Sequence, residues 1–156
     1  MVRDWPVPST AKELQTYLGL TNYYRRFIPG YAEIADPLYS LLQKGRKFEW
    51  SVDHQVAYDC LKDHLTASPI LAYPLPQHTF ILDAEASNTS IGAVLSQIQE
   101  GQEGVISFAS RRLSQAQERY CVTRKELHAV IAFTDKFKHY LLGRQFILRT
   151  DHSSLT

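Results

Sequence analysis

The stretch FILDAEASNTSIGAVLSQ, residues 80–97, decides how the rest of the chain is read. Residues 79–85 and 91–98 are two apolar runs separated by the polar Ala86-Ser87-Asn88-Thr89-Ser90, the pattern of two strands joined by a turn. Working outward, a polar, glycine-containing turn at 99–104 leads to VISFAS at 105–110, which completes an antiparallel meander of three strands. A helical period then runs from about 124 to 142, with Gly143 as its stop, and FILRTD at 146–151 reads as a fourth strand. The order β-β-β-α-β places the last strand after a crossover helix, so it is expected to pair in parallel within a mixed sheet.

Acidic side chains punctuate these elements. Side chains alternate along a strand, so Asp83 and Glu85 share one face, opposite Leu82 and Ala84. Two acids together at a strand end suit a cation, or simply face water. Glu126 lies in line with Val130, Phe133, Phe137 and Tyr140 on the apolar stripe of the long helix, with His128, Asp135 and His139 opposite. A carboxylate on that stripe needs a cation, a proton or a hydrogen-bond partner. One ready partner is local, because Thr123 and Glu126 have the spacing of a capping box. Asp151 stands at the carboxyl end of the fourth strand, where open sheets place their ligand sites, or it pairs with Arg149 on its own face. His152 beside it either assists or is solvated. No glycine-rich phosphate loop, nucleophilic triad or dinucleotide fingerprint competes with this set.

Upstream, residues 9 to about 66 read as short helices. Thr10 and Glu13 form a capping box, and Leu14, Tyr17 and Leu18 keep helical spacing until Gly19 ends the turn. Thr21 is expected to cap a second helix through Phe27, and Asp36 a third that opens on Pro37. Ser51 or Asp53 opens a fourth, with Val56, Ala57, Cys60, Leu61, His64 and Leu65 on one side. SPILAYPLPQ, 68–77, carries three prolines and no period, and reads as a linker between a helical domain at 1–67 and a sheet domain at 78–156.

The charge is +1 and is balanced on both sides of residue 70, so net charge gives no support for nucleic-acid binding. Locally, Arg111, Arg112, Arg119, Arg124 and Lys125 fall in a stretch whose only acid before Glu126 is Glu118. Tyr23-Tyr24-Arg25-Arg26-Phe27 interleaves aromatics with cations. Either segment is a solvated face or a surface that stacks bases and neutralises phosphates. Cys60 and Cys121 are isolated, which argues against a structural zinc site and suits a reducing compartment. No apolar run approaches membrane-spanning length, and MVRDWPVP lacks the layout of a signal peptide, so an intracellular setting without a membrane is expected.

The stretches WPVPSTAKELQTYLGLTNYYRRFIPGYAEIADPL, KFEW, SPILAYP, IGAVLSQ, ISFASRRLS, RKEL, HYLLGRQF and RTDHSSLT together resemble the Pol polyprotein of gypsy-type LTR retrotransposons. The resemblance runs from the reverse transcriptase thumb region into the RNase H domain. It implies an α+β or α/β architecture: a small thumb-like helical domain at 1–67, then the amino-terminal portion of an RNase H-like domain. The implied partners are an RNA–DNA hybrid or template–primer duplex and the remainder of a Pol polyprotein. The implied reaction is hydrolysis of the hybrid's RNA strand. Two Mg²⁺ (or Mn²⁺) ions about 3.5–4 Å apart would carry it, held by Glu85, Glu126 and Asp151 with Asp83 as a further ligand. Tyr23, Tyr24, Arg25, Arg26, Arg111 and Arg112 are the implied nucleic-acid contacts.

The match has departures. The family's first metal-binding acid is the Asp of an Asp-Ala-Ser triplet, which here reads Glu85-Ala86-Ser87, and the alignment through Ile91–Leu95 leaves no room to slide Asp83 into its place. A glutamate displaces the carboxylate by about 1.5 Å. Misplacement on the order of 1 Å can cost about a hundredfold in rate. The family's fourth acid belongs to a helix well downstream of Thr156, and Ser90 replaces a common glycine. Activity of this chain alone is therefore expected to be weak or lost, and a non-catalytic binding module is the rival expectation. The polymerase aspartates of the family lie upstream of Met1, so DNA synthesis is not expected. An incomplete sheet predicts an exposed edge and self-association.

Overall fold

The computed structural model describes residues 5–66 and 71–150. Strands β1 (Phe80–Ala86), β2 (Ser90–Gln99), β3 (Gln102–Arg112) and β4 (Phe146–Arg149) form one mixed sheet in the order β3-β2-β1-β4. The meander is antiparallel, whereas β4 runs parallel to β1 after the helical crossover. Alternation sorts the faces: Phe80, Leu82 and Ala84 of β1 join Ile91, Ala93 and Leu95 of β2 in a buried cluster with Ala129 and Phe133 of α5 (Val122–Lys136). Each fully buried aliphatic or aromatic side chain of this kind contributes about 1.5–3 kcal/mol relative to exposure.

Turn chemistry fixes the strand ends. At the β1–β2 turn the Ser87 hydroxyl accepts from the N–H groups of Thr89 (3.3 Å) and Ser90 (3.0 Å), while Ser87 N–H donates to Ser90 O at 2.8 Å. Ser90 needs no glycine conformation, and its hydroxyl lies 3.0 Å from that of Ser87. The β2–β3 hairpin turns on Glu100 (φ 52°) and Gly101 (φ 80°), the pair of positive φ values that matches strand twist.

The helical half differs from expectation in its boundaries. α1 (Ala11–Tyr23) is capped by Thr10 but runs straight through Gly19. Thr21 is not a cap; it is buried in that helix and its hydroxyl contacts Tyr31 Oη at 3.0 Å, so tertiary packing overrides a weak local stop. Only a 3₁₀ turn, Arg25–Phe27, follows. α2 spans Tyr31–Ser40 and carries Pro37 inside it rather than at its start, because Gly30 in the left-handed region opens the helix six residues earlier. α3 (Val52–Thr66) buries His54, Ala57, Tyr58 and Leu61, and Val56 faces out. The face is rotated from the expected one because Tyr58 stacks on Tyr17, with ring centroids 4.5 Å apart. These helices enclose a second cluster around Leu14, Tyr17, Leu38 and Leu61.

The proline-rich segment is not a free tether where it is described. Ala72 N–H donates to Val105 O at 2.7 Å, and the buried Gln97 amide accepts from Leu75 N–H and donates to the carbonyls of Leu75 and His78, each at 2.9 Å. The crossover helix is also shorter than 124–142: α5 ends at Lys136, and a separate turn, α6 (Lys138–Leu141), follows a break at Phe137. A small helix, α4 (Gln115–Glu118), precedes α5.

Candidate active site

Helix α5 sets Glu126 against the end of β1. Its carboxylate is 4% exposed, and Oε1 accepts the Ala86 N–H at 3.1 Å. The capping-box alternative is not what forms: the N-cap is Cys121, with no side-chain cap, and the glutamate reaches across to the neighbouring strand instead. Lys125 beside it is 7% exposed and donates from Nζ to Asn88 O at 3.1 Å, which ties the β1–β2 turn to the start of the helix. The Ala86 N–H thus orients Glu126 from the end of β1, while Lys125 ties the start of its helix to the turn.

Glu85 precedes Ala86 and lies exposed on the sheet face turned away from α5. Its side chain rests over Gly92, where an added Cβ would come within 3.1 Å of Oε1. Glu85 and Glu126 therefore approach one strand end from opposite sides of the sheet. On the Glu85 side is an open cleft of about 370 Å³, lined by Asp83, Glu85, Val94, Arg149 and Thr150.

Asp83 is taken by Arg149. Its oxygens accept from Nε at 2.6 Å and Nη2 at 2.7 Å, the two-pronged geometry that suits a guanidinium. Arg149 also bonds Glu103, whose Oε1 accepts from Ser96 Oγ at 2.6 Å. The hydrogen bond from Arg149, then that from Ser96, lowers the Glu103 carboxyl below its ordinary value. The same contacts, Asp83 first, push the guanidinium further up. Arg149 reaches Asp83 because the parallel register sets the two opposite one another; the alternative of an Arg149–Asp151 pair involves a residue outside the described ones. Asp151 and His152 lie outside the described residues. Among the described residues no three His, Cys, Asp or Glu side chains are grouped to hold a metal.

The expected nucleic-acid contacts divide in two. Tyr23 (77% exposed) and Tyr24 project from the end of α1, and Arg26 stacks over Phe27 at 4.8 Å. Arg25 and Arg112 are instead used within the fold. Arg25 Nη2 donates to Ser110 O at 2.6 Å, and Arg112 pairs with Asp36. Arg111 meets His128 Nε2, which also lies 3.1 Å from Gln117 Nε2. Burial, with Arg111 and Arg124 adding to it, pulls the His128 pKa below its ordinary 6.5.

Residues 50–148 match the family model described as an RNase H-like domain found in reverse transcriptase. The chain is 43% identical, over 97% of its length, to the retrovirus-related Pol polyprotein from transposon 297 of Drosophila melanogaster. It is 33% identical, over 99%, to the transposon Tf2-3 polyprotein of Schizosaccharomyces pombe. It spans only 14% and 12% of those relatives' own lengths. The fold is that of a foamy viral protease-reverse transcriptase solved with double-stranded DNA, with TM-score 0.85, 24% identity, and coverage of 99% of this chain and 32% of that one. The foamy viral enzyme solved with an RNA/DNA hybrid gives 0.81 at 24% identity, over 97% of this chain and 21% of that one. No helix among the described residues is long and apolar enough to cross a membrane.

Proposed function

From the premise that this chain belongs to the RNase H-like domain family found in reverse transcriptases, we propose that it is a Pol segment built for hydrolysis of the RNA strand of an RNA–DNA hybrid, and that the isolated chain performs this weakly or not at all. The observation that carries the reading is the Glu126 carboxylate, buried and held on the Ala86 N–H one residue from Glu85. A metal-ligating carboxylate is characteristically held from behind by a hydrogen bond, which is the arrangement the Ala86 N–H gives Glu126.

The donor chemistry suits a hard divalent ion such as Mg²⁺, which prefers carboxylate oxygen. Glu85 and Glu126, which flank the end of β1 from its two sides, would have to meet the ion past that end, with Asp151 as the proposed third ligand. Asp83 is the poorest candidate of the expected set, since both its oxygens are engaged by Arg149. When bound, the metal supplies Lewis-acid charge at the scissile phosphate and a water of lowered pKa. The chain's own part is positional. The Ala86 N–H orients Glu126, and the Lys125 bond to Asn88 keeps the neighbouring turn from shifting. Glu85 carries one methylene more than the aspartate of the family pattern, which moves its oxygens by about 1.5 Å. The partner in this reading is an RNA–DNA hybrid or template–primer duplex, and the remainder of the polyprotein would complete the enzyme. The setting is intracellular.

Glu85 also favours the second reading, a module that binds nucleic acid without cutting it. A gel assay with labelled hybrid and Mg²⁺ separates the two. We expect hydrolysis near background, a rise of about tenfold to a hundredfold in Glu85→Asp, and loss of that gain when Glu126→Gln is added. Turnover of unaltered chain that survives Glu126→Gln would overturn the site. No gain in Glu85→Asp, with hybrid binding intact, would favour the non-cutting module.

A further inference from the structure

Where the 3₁₀ turn meets the far end of α5, three cationic side chains and a histidine surround one cleft. It encloses about 200 Å³ and is lined by Arg25, Arg26, Lys136 and His139, with Phe108 and Tyr140 among its walls and no carboxylate. Such a lining is unexpected in a chain of net charge +1. Burial, with Arg25 adding to it, lowers the Lys136 ammonium from its ordinary value, as befits a cation facing another cation. Neither Arg26 nor Lys136 makes an ion pair among the described residues.

Two features make the cleft a formed site rather than a loose surface. Arg25 is locked by its bond to Ser110 O and lies 5.6 Å from the Tyr31 ring centroid, so one wall is rigid. His139 and Tyr140 stack with centroids 4.1 Å apart, and Tyr140 also contacts Phe137 at 6.5 Å, which gives the opposite wall a fixed aromatic edge. The walls come from both halves of the chain and meet only because the helical half docks on β3. Unneutralised like charges held together in this way destabilise a fold unless an anion joins them.

We propose that this cleft binds a backbone phosphate of a nucleic-acid strand, at a point remote from Glu126. Ten residues of helix separate Glu126 from Lys136, about 15 Å at the rise of an α-helix, so one strand can touch both ends of α5. The exposed Tyr23 and Tyr24 next to the turn offer faces for stacking beside the phosphate. Arg26 and Lys136, which make no ion pair among the described residues, face the ligand; Arg25 is its fixed floor. This inference rests on the reading of a nucleic-acid partner but not on hydrolysis.

The test measures anisotropy of a labelled RNA–DNA hybrid against KCl for the full chain, for Arg26→Glu with Lys136→Glu, and for Lys44→Glu, a charge change in the loop after α2. We expect the double variant to bind at least about tenfold more weakly at low salt and to flatten the log–log salt slope by about 0.9, the change for one lost phosphate contact. The Lys44 variant should follow the unaltered chain once its single charge is allowed for. The milder pair Arg26→Gln with Lys136→Gln keeps the test informative if charge reversal disturbs folding. Equal affinity and slope in either double variant would overturn the site while leaving the nucleic-acid reading intact. Failure of the unaltered chain to bind hybrid at any salt would overturn both. Competition by inorganic phosphate at the cleft, with no effect of the variants on hybrid, would show a free-phosphate site and overturn the strand assignment.

Discussion

Two side-chain donors converge on one nitrogen of His128. Arg111 Nη2 and Gln117 Nε2 both approach Nε2, so that atom accepts and the ring carries its proton on Nδ1. A proton at Nε2 would face Arg111 directly, and burial and Arg124 add to the penalty. The folded pKa is therefore depressed, and the unfolded chain binds the proton first as pH falls. This contribution to stability is complete above the ordinary value of 6.5 and is lost as pH drops through it toward the folded pKa. The urea midpoint of the unaltered chain should fall between about pH 7 and about pH 5, and fall less in His128→Gln, which keeps an acceptor but cannot titrate. Parallel pH profiles for the two proteins would show that His128 is not the group responsible. The cluster was hard to see in the sequence, because residues 111, 117 and 128 share no period and meet only when β3 packs beside α5.

At the scale of elements, β4 is four residues long, and its pairing with β1 is legible in the letters. FILD at 80–83 and FILR at 146–149 repeat three residues and then oppose an acid to a base, and the parallel register aligns them one to one. The echo aligns Asp83 with Arg149, a contact that proximity in sequence, with Asp151 two residues from Arg149, does not suggest. A double-mutant cycle with Asp83→Asn and Arg149→Gln should return a coupling of about 0.5–1 kcal/mol, at the upper end for an exposed pair because Glu103 buttresses the arginine. Arg149→Gln should also cost more than Asp83→Asn, since it releases two carboxylates. Strict additivity in urea denaturation would show that the bridge does not hold the strand. The helical elements were less legible. Gly19, Thr21 and Pro37 are all read locally as boundaries, yet α1 and α2 run through them, because packing around Tyr17, Tyr31 and Leu38 outweighs propensities of about 1 kcal/mol for glycine. The α5 stripe, by contrast, placed Glu126 in the interior from its period alone, as its burial bears out.

For the whole molecule, β3 is the seam between two apolar clusters. Ser110 serves both sides: its carbonyl accepts from Arg25, its hydroxyl accepts from Ala32 N–H at 2.8 Å, and Arg112 next but one pairs with Asp36. We expect calorimetry of the unaltered chain to show one cooperative transition. Arg25→Ala with Arg112→Ala should divide it into two, or broaden it so that van't Hoff and calorimetric enthalpies no longer agree. An unchanged single transition would mean that apolar contact alone couples the halves. The same seam gives the sheet a direction. Ala72 and Arg25 occupy carbonyls along the outer side of β3, whereas β4 stands at the other margin, with Ile147 and Leu148 exposed and no further strand among the described residues. Among the described residues, strand addition therefore meets less obstruction at the β4 margin than at the β3 margin. Two copies that paired strand to strand along β4 would leave both β3 margins still engaged by Ala72 and Arg25, so pairing of that kind has no second free rim to repeat on among the described residues.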